Sequence, residues 1–457
     1  MQYPDRNKLP LDLTHQRPRT KSMMVKIRWQ MYKYIKSYKY TKIVKRIESM
    51  ESLNRKHYLN DITREAAKNA AKSDFPDSII EKVKETPAFL VSEVPLRRNL
   101  EILSSIKKAT GAKILLALKA FAMYRVFPIM AEYLDGVCAS GPFESRLGKE
   151  YFKKEVHTFG PAYSESDIEE LIKSSDTIIF NSLKQWKKYR EKISKSGRKI
   201  EIGLRVNPEY SEIKTDLYNP AYINAGLGIL SKELEGEDLK GIDGLHFHVL
   251  CENNADALAN VLEHFERLYG KYIHQMKWIN FGGGHHIARA DYDIKLLIKL
   301  INNFKKKYGV EVYLEPGEGI VLNTGILISS VLDIVHEKES LPTAILDTSA
   351  ETHMPDVLAM PYSPDIINAG AAGEKKNTYR LRGLTCLAGD IIGDYSFEEK
   401  LKPNDKIVFL DMALYTMVKT TTFNGVRLPS ILFLNSKSGD IELVKRFEFE
   451  SYKEKLS

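Results

Sequence analysis

Short apolar runs alternate with segments of helical period along residues 86–314. Each run is too short for a typical helix and is mostly apolar, a pattern typical of parallel strands buried on both faces. The eight runs lie at residues 114–118, 136–139, 156–159, 177–180, 200–206, 244–249, 278–281 and 310–314. Eight successive βα repeats predict a (β/α)8 TIM barrel, which we place at residues 85–322.

A different pattern follows the barrel. Strand-like runs continue at residues 326–335, 343–346, 379–384, 406–410, 431–434 and 441–447, with no long helical segment between them. Such a pattern predicts an antiparallel β domain, here at residues 323–457. A further strand candidate at residues 87–92 precedes the barrel and could join this domain.

Residues 1–84 form a basic N-terminal extension. They hold 20 Lys and Arg against 9 Asp and Glu, a net charge of +11, whereas the remaining 373 residues hold 48 against 51. We expect the first twenty residues to be disordered, and residues 24–50, where lysine and tyrosine interleave, to be helical. A basic aromatic helix can bind nucleic acid or anionic lipid, but charge runs are more often solvated faces.

Composition narrows the class of protein and its cellular compartment. Hydrophobic residues make up 43% of the chain and charged residues 28%, which is enough apolar content for a large core and excludes general disorder. The three cysteines, Cys138, Cys251 and Cys386, form no disulfide framework and no zinc-binding pair. No apolar run is long enough to span a membrane. We therefore predict a cytoplasmic protein with no structural metal, no membrane partner and no nucleic-acid partner, although the basic extension leaves that last point open.

Candidate chemistry lies where the barrel strands end, because barrel active sites occupy the C-terminal ends of the strands. Lys119 follows the first apolar run; it either reaches the solvent at the rim or serves as a reactive amine. His246 and His248 alternate on one strand and are either core residues or ligands. Three glycines at 282–284 could bind an anion through bare backbone N–H groups, and Glu315 ends the last strand.

Together these residues resemble the fold type III pyridoxal-phosphate enzymes, the family of alanine racemase and of the ornithine and diaminopimelate decarboxylases. The resemblance covers residues 86–457 and implies that Lys119 holds pyridoxal 5'-phosphate and that His248 stacks on its ring. It also implies that Gly282, Gly283 and Gly284 bind the phosphate and that Glu315 contacts the ring nitrogen.

The β domain adds motifs to this resemblance. GLTCLAGD contains Cys386 and Asp390, and DMALYTM contains Tyr415. The resemblance implies that Cys386 donates a proton to the substrate carbon from the partner subunit of a homodimer, and that Tyr415 contacts the phosphate. The ornithine decarboxylase branch has arginine after E-P-G, whereas this chain has Glu318, so phosphate binding must depend on other groups.

Six motifs in one order, LALKAF, GLHFHVLCE, NFGGGHH, AETHMP, GLTCLAGD and the tyrosine motif, are similar to those of the carboxynorspermidine decarboxylase family, which also accepts carboxyspermidine. The resemblance implies a pyridoxal-phosphate-dependent carboxy-lyase that makes norspermidine or spermidine in polyamine biosynthesis.

A polyamine substrate needs carboxylates placed away from the reacting carbon. The candidates are Glu351, Asp356, Asp347 and Asp390, and we also expect Glu315 to face the substrate. Two alternatives stay open: an ornithine or diaminopimelate decarboxylase, against which AETHMP and Glu318 argue, and a cofactor-binding regulatory protein without turnover.

Overall fold

A computed structural model describes residues 61–213, 216–335 and 340–457 of the chain. All of these residues belong to one unit, Asn60–Ser457. The predictions of disorder over the first twenty residues and of a helix at 24–50 fall outside the described residues.

The predicted barrel is confirmed. After strand β1 at Ala88–Ser92, eight parallel strands close on themselves in chain order, with the first pairing to the last. They are β2 Lys113–Ala117, β3 Gly136–Ala139, β4 Glu155–Phe159, β5 Thr177–Phe180, β6 Glu201–Arg205, β7 Gly244–His246, β8 Trp278–Asn280 and β9 Glu311–Leu314.

The helices between the barrel strands pack their apolar stripes on the outer face of the barrel, and shorter helices lie in the rest of the described chain. The α-helices of the described chain are α1 Asp61–Asp74, α2 Asp77–Ile80, α3 Glu93–Thr110, α4 Phe127–Ala131, α5 Pro142–Leu147, α6 Glu165–Ser174, α7 Leu183–Ser194, α8 Ala255–Ile273, α9 Ile294–Tyr308, α10 Glu318–Val321, α11 Ala350–His353, α12 Asp356–Ala359 and α13 Phe449–Lys453. Their ends follow capping rules. Ser164 and Asp167 form a capping box at the start of α6, and Gly309 ends α9 in the left-handed conformation.

The barrel interior has an apolar part and a polar part. Leu115, Ile179, Trp278 and Tyr313 pack together as one apolar cluster. The Trp278 ring lies so close to Gly244 that a Cβ at that glycine would come within 2.2 Å of it, so the bulky ring requires a glycine on the neighbouring strand. Polar side chains occupy the positions toward the C-terminal ends of the strands, and these ends form the barrel mouth.

The C-terminal domain is a mixed sheet, which corrects the predicted antiparallel one. Its strands are β10 Gly325–Val335, β11 Thr343–Leu346, β12 Gly370–Ala371, β13 Asn377–Arg382, β14 Ile391–Phe397, β15 Lys406–Phe409, β16 Ser430–Leu434 and β17 Ile441–Lys445. Most neighbours are antiparallel, but β11 pairs with β13 in parallel, as does β1 with β16. The prediction that β1 joins this domain is confirmed, because β1 lies between β10 and β16. The sequence did not predict β12 or β14.

The last part of the basic extension packs on the β domain. Phe75, Ile80 and Val83 are buried in the same apolar cluster as residues of β1, β10, β15 and β16. Lys406 reinforces this contact by donating hydrogen bonds to the carbonyl oxygens of Ile80 and Val83. The domain core therefore begins before residue 84, the end that we predicted for the extension.

Candidate active site

Lys119 lies at the mouth of the barrel, two residues after β2. Its Nζ is 3.3 Å from Nε2 of His248, which follows β7. The other ring nitrogen of His248, Nδ1, accepts a hydrogen bond of 2.8 Å from the Gly283 N–H. Burial, and then the nearby Lys119, hold the pKa of His248 well below its ordinary value. The imidazole is therefore neutral, with its proton on Nε2 facing the lysine amine.

The glycine run after β8 is required by close backbone contacts. Gly282 and Gly284 have φ angles of 70° and 85°, and a Cβ on them would lie 2.3 Å and 2.0 Å from carbonyl oxygens of the preceding strand loop. Two of the three N–H groups already have side-chain acceptors, namely Asn280 Oδ1 for Gly282 and His248 Nδ1 for Gly283. The turn thus connects the glycine run to the residues beside Lys119, and only the Gly284 N–H has no protein acceptor among the described residues.

Glu315 is a buried carboxylate at the end of β9. Asn280 donates a hydrogen bond of 2.7 Å to its Oε1, and Nε2 of His246 lies 3.3 Å from its Oε2. Burial alone would raise the pKa of Glu315, but His246, His157 and Asn280 together lower it to about 2. Glu315 is consequently ionised, as a partner for a protonated ring nitrogen should be.

Two residues that we did not predict as site residues complete the interior beside the barrel mouth. Arg205, at the end of β6, lies 4.5 Å over the Phe159 ring and donates to the carbonyl oxygen of His248. Cys138, on β3, is half-buried, and its pKa is raised well above the ordinary value by burial and then by the charge of Glu315. The signal for both was available, since each lies at or near the end of a predicted barrel strand.

A group of acids lies beside these residues; Glu252, Glu318 and Asp411 are called the acidic cluster below. Nε2 of His286 is 3.1 Å from Oε1 of Glu318. Burial, followed by the charge of Glu318, raises the pKa of Glu252 to about 7. Burial also raises the pKa of Asp411 to about 7, although the Asn323 N–H donates to it at 2.7 Å. The donor atoms of Glu252, His286 and Glu318 lie within 4.8 Å of one another, a spacing that suits a metal ion, so the predicted absence of metal stays a prediction.

Two tyrosines connect the acidic cluster to the barrel mouth. Tyr415 is bound to the loop after β2 through its backbone N–H, which donates to the Ala120 carbonyl oxygen at 2.7 Å. Burial, and then the charge of Glu318, raise the pKa of Tyr415. Burial, followed by the charges of Asp356 and the acidic cluster, likewise raises the pKa of Tyr362. Tyr415 is therefore attached to the residue after Lys119 and is acted on by nearby acids, and its predicted contact with the phosphate stays a prediction.

The predicted substrate carboxylates divide into two kinds. Asp390 is fully buried and accepts hydrogen bonds from Ser349, Thr385 and the Ala350 N–H. Asp347 similarly accepts from Ser329 and from Thr86. These contacts give Asp347 and Asp390 roles within the β-domain fold and argue against contact with substrate.

Asp356 and Glu351 remain available to a ligand. Asp356, at the start of α12, is partly exposed and forms an ion pair of 2.5 Å with Lys419. Electrostatically, it also acts on Tyr362 and Tyr415. Glu351, in α11, is half-buried, and its backbone N–H faces Asp390 at 3.3 Å.

Cys386 lies on the surface of the β domain. Its backbone N–H donates to Asn424 Oδ1 at 2.8 Å, and its side chain is exposed. The neighbouring Leu384 and Leu387 are also exposed, which is unusual for leucines so close together on a surface. The geometry therefore separates Cys386 from the contacts made by Lys119 within this chain.

A barrel with a lysine, a neutral histidine, a glycine turn and an ionised glutamate at its mouth, followed by a β domain, defines the class of fold type III pyridoxal-phosphate enzymes. A family model described as "Pyridoxal-dependent decarboxylase, C-terminal sheet domain" matches residues 31–413. The chain belongs to this family of pyridoxal-dependent decarboxylases.

Individual relatives show similarities that are more specific than the family model. The chain is 47% identical over 379 residues to a carboxynorspermidine/carboxyspermidine decarboxylase of Campylobacter jejuni, covering 80% of this chain and 97% of the relative. It is 40% identical over 389 residues to a carboxyaminopropylagmatine decarboxylase of Synechocystis, covering 84% of this chain and all of the relative. The crystal structure of carboxynorspermidine decarboxylase from Campylobacter jejuni in complex with norspermidine superposes with a TM-score of 0.75 at 46% identity, over 81% of this chain and all of that one.

The residues of the site fit pyridoxal phosphate. A primary amine next to a neutral imidazole suits attachment of the aldehyde, and a buried ionised carboxylate suits the ring nitrogen. The glycine turn gives close backbone approach, which a Cβ at any of its three positions would block. None of the described helices is both long and apolar enough to cross a bilayer.

Proposed function

We propose that this enzyme removes the carboxylate of carboxynorspermidine or carboxyspermidine to give norspermidine or spermidine and CO2. The observation that carries the proposal is the ring of carboxylates around Tyr362 and Tyr415, next to Lys119. Asp356 and Glu318 act on both tyrosines, and the other two members of the acidic cluster act on Tyr362. A substrate with several ammonium groups would offset this negative charge, whereas diaminopimelate carries a second carboxylate that the acids would repel.

The magnitude supports this choice. Two unit charges about 4 Å apart interact with about 4 kcal/mol at the effective dielectric constant of a partly buried site. A single favourable contact of this kind, reduced by desolvation, still separates a cation from an anion by several powers of ten in affinity. The replacement of arginine by Glu318 after E-P-G changes the local charge in the direction that a polyamine requires.

The residues of the barrel mouth have distinct roles in the reaction. Bound pyridoxal phosphate supplies the electron sink for the electron pair left when the bond between Cα and the carboxylate breaks. Lys119 provides the attachment amine, and His248 orients the ring from its fixed position between Lys119 and Gly283. Glu315 holds a proton at the ring nitrogen, because its ionised carboxylate favours the cation.

The proton that replaces CO2 on the substrate carbon would come from Cys386 of a second copy of the chain. Within one chain, Cys386 is exposed and is flanked by exposed Leu384 and Leu387. An exposed pair of leucines beside a reactive group suits burial in a homodimer whose two sites are shared. The dimer, and the cytoplasmic location inferred from cysteine usage, stay predictions.

A second candidate substrate is carboxyaminopropylagmatine, named for the Synechocystis relative. Its guanidinium group would also be attracted by the acidic cluster, so charge alone does not separate the two substrates.

The test is CO2 release by the purified holoenzyme from five substrates: carboxynorspermidine, carboxyspermidine, carboxyaminopropylagmatine, diaminopimelate and ornithine. We expect kcat/KM for a carboxylated polyamine to exceed that for diaminopimelate and ornithine by on the order of 1,000-fold, because an unpaired buried charge is costly. Comparable turnover of diaminopimelate would refute the proposal.

The Lys119→Ala variant serves as the matched control for this assay. It should lose the visible absorbance of lysine-bound cofactor together with CO2 release. A protein that binds the cofactor but turns over none of the five substrates would instead support the regulatory alternative.

A further inference from the structure

Asn280 connects the glycine turn to Glu315. It is fully buried at the end of β8, its Oδ1 accepts from the Gly282 N–H at 2.8 Å, and its Nδ2 donates to Glu315 Oε1 at 2.7 Å. The backbone N–H can only donate, so Oδ1 must face Gly282 and the amide cannot be reversed. The Nδ2–H group is therefore fixed toward Glu315, and a protonated Glu315 oxygen would lose this acceptor position.

His246 approaches the other oxygen of Glu315. It ends β7, and its Nε2 lies 3.3 Å from Glu315 Oε2. Neither ring nitrogen of His246 forms a hydrogen bond of good geometry among the described residues, so its contact with Glu315 is a close approach of Nε2 to Oε2. The charged and titratable groups that act on the ring are Glu315, Arg205 and Lys119, with the His248 ring 6.5 Å away. Burial lowers the pKa of His246, with Glu315 acting in the opposite direction, so the ring is neutral, and the Nε2–H tautomer would place its N–H beside Oε2 of Glu315.

We infer that Asn280 and His246 are positioning residues that hold the two oxygens of Glu315 from opposite sides and keep this carboxylate ionised and fixed. Asn280 has a second effect, because the same amide also holds the first glycine of the turn. The position of Glu315 is thus coupled to the turn that receives the cofactor. This inference rests on the role proposed above for Glu315 at the ring nitrogen.

The structure predicts the sign of each perturbation. Asn280→Asp replaces the donor to Glu315 with a second carboxylate in a buried site, and two carboxylates in contact cannot both stay ionised. The pair would share a proton, and Glu315 would hold the ring nitrogen's proton less well. His246→Gln keeps an amide donor near Oε2, whereas His246→Ala removes the donor and leaves a cavity.

The experiment measures kcat and KM for carboxynorspermidine together with the nitrogen-15 chemical shift of holoenzyme carrying ring-labelled cofactor. For Asn280→Asp we expect kcat to fall on the order of 100-fold, KM to change less than about threefold, and the shift to move toward an unprotonated ring nitrogen. His246→Ala should lose about 10- to 100-fold in kcat, and His246→Gln should recover part of that loss. A purely structural role would not move the nitrogen signal.

Matched changes on the outer helices are the controls. Asn302→Asp on α9 and His264→Gln on α8 make the same chemical changes away from the barrel mouth, and both should leave kcat and the nitrogen shift unchanged. If Asn280→Asp does not fold, the two His246 variants carry the test.

The Glu315→Gln variant distinguishes failure of the positioning inference from failure of the role proposed for Glu315. If Glu315→Gln lowers kcat and shifts the nitrogen signal while the Asn280 and His246 variants resemble wild type, the positioning inference is wrong. If Glu315→Gln itself turns over normally, the proposed role of Glu315 is wrong and the inference fails with it.

Discussion

Asp411 gives the sharpest test of the electrostatics at this site. It is half-buried, lies four residues before Tyr415, and its Oδ1 accepts a hydrogen bond from the Asn323 N–H. Burial raises its pKa, and the charges of Glu318 and Asp365 add to this while His286 opposes it. The perturbation is Asp411→Asn, which keeps the acceptor for Asn323 and removes the ionisable group.

The magnitude follows from the pKa values. The pKa of Asp411 rises from an ordinary 3.8 to about 7 in the folded protein. A difference of about 3 between the pKa values of the folded and unfolded states corresponds to at most about 4 kcal/mol of unfolding free energy. Because the folded state binds the proton more tightly, it holds more protons than the unfolded state between about pH 4 and pH 7. Stability therefore falls as the pH rises through this window, and above it the folded protein bears the full cost of the buried charge.

Urea unfolding at pH 4 and at pH 8, with saturating cofactor, measures this effect. We expect Asp411→Asn to gain roughly 2–4 kcal/mol in unfolding free energy at pH 8 and almost nothing at pH 4. The control is Asp394→Asn, which removes a half-exposed carboxylate paired with Arg380 and should change stability by less than about 1 kcal/mol at either pH. Equal or lower stability of Asp411→Asn at pH 8 would refute the reasoning and show that the acid is ionised and compensated by a cation.

Three further predictions concern other parts of the chain. Phe75→Ala should lower the unfolding free energy by about 3–5 kcal/mol in urea, because Phe75 is buried in the β-domain core; no change would show that this segment is dispensable. Mixing Cys386→Ala with Lys119→Ala under subunit exchange should restore up to about a quarter of wild-type CO2 release, since half the dimers would be mixed with one intact site of two. Asp356→Asn should raise KM for carboxynorspermidine about tenfold with little effect on kcat, and the reverse pattern in steady-state assays would remove Asp356 from substrate binding.

The barrel was predictable because its strands are buried on both faces and therefore appear as continuous apolar runs. The mixed order of the C-terminal sheet was not, because antiparallel and parallel pairing depend on connections that periodicity does not encode. Strand β14 illustrates the limit: IIGDYSF contains a glycine and an aspartate, residues depleted in strands, and pairing with β13 overrides that preference. The extension was likewise treated as one segment because its charge masked the apolar spacing of Phe75, Ile80 and Val83.

For the candidate site, too, the sequence indicates residue types and their positions but not the contacts that these residues make. Strand-end position was enough to indicate Lys119, His248 and Glu315, because barrel chemistry concentrates there. The sequence could also show that Glu318 stands where a related branch has arginine. It could not show that His286, Glu252 and Asp411 lie near Glu318, because these three residues come from three other loops. Asp390 shows that residue type alone does not reveal what a carboxylate contacts. An acid beside a predicted catalytic cysteine suggested substrate binding, whereas folding uses its carboxylate to hold Ser349 and Thr385. Acids that receive several hydrogen bonds from the protein stabilise the fold, and those left with raised pKa values at the mouth are the ones that a polycationic substrate can neutralise.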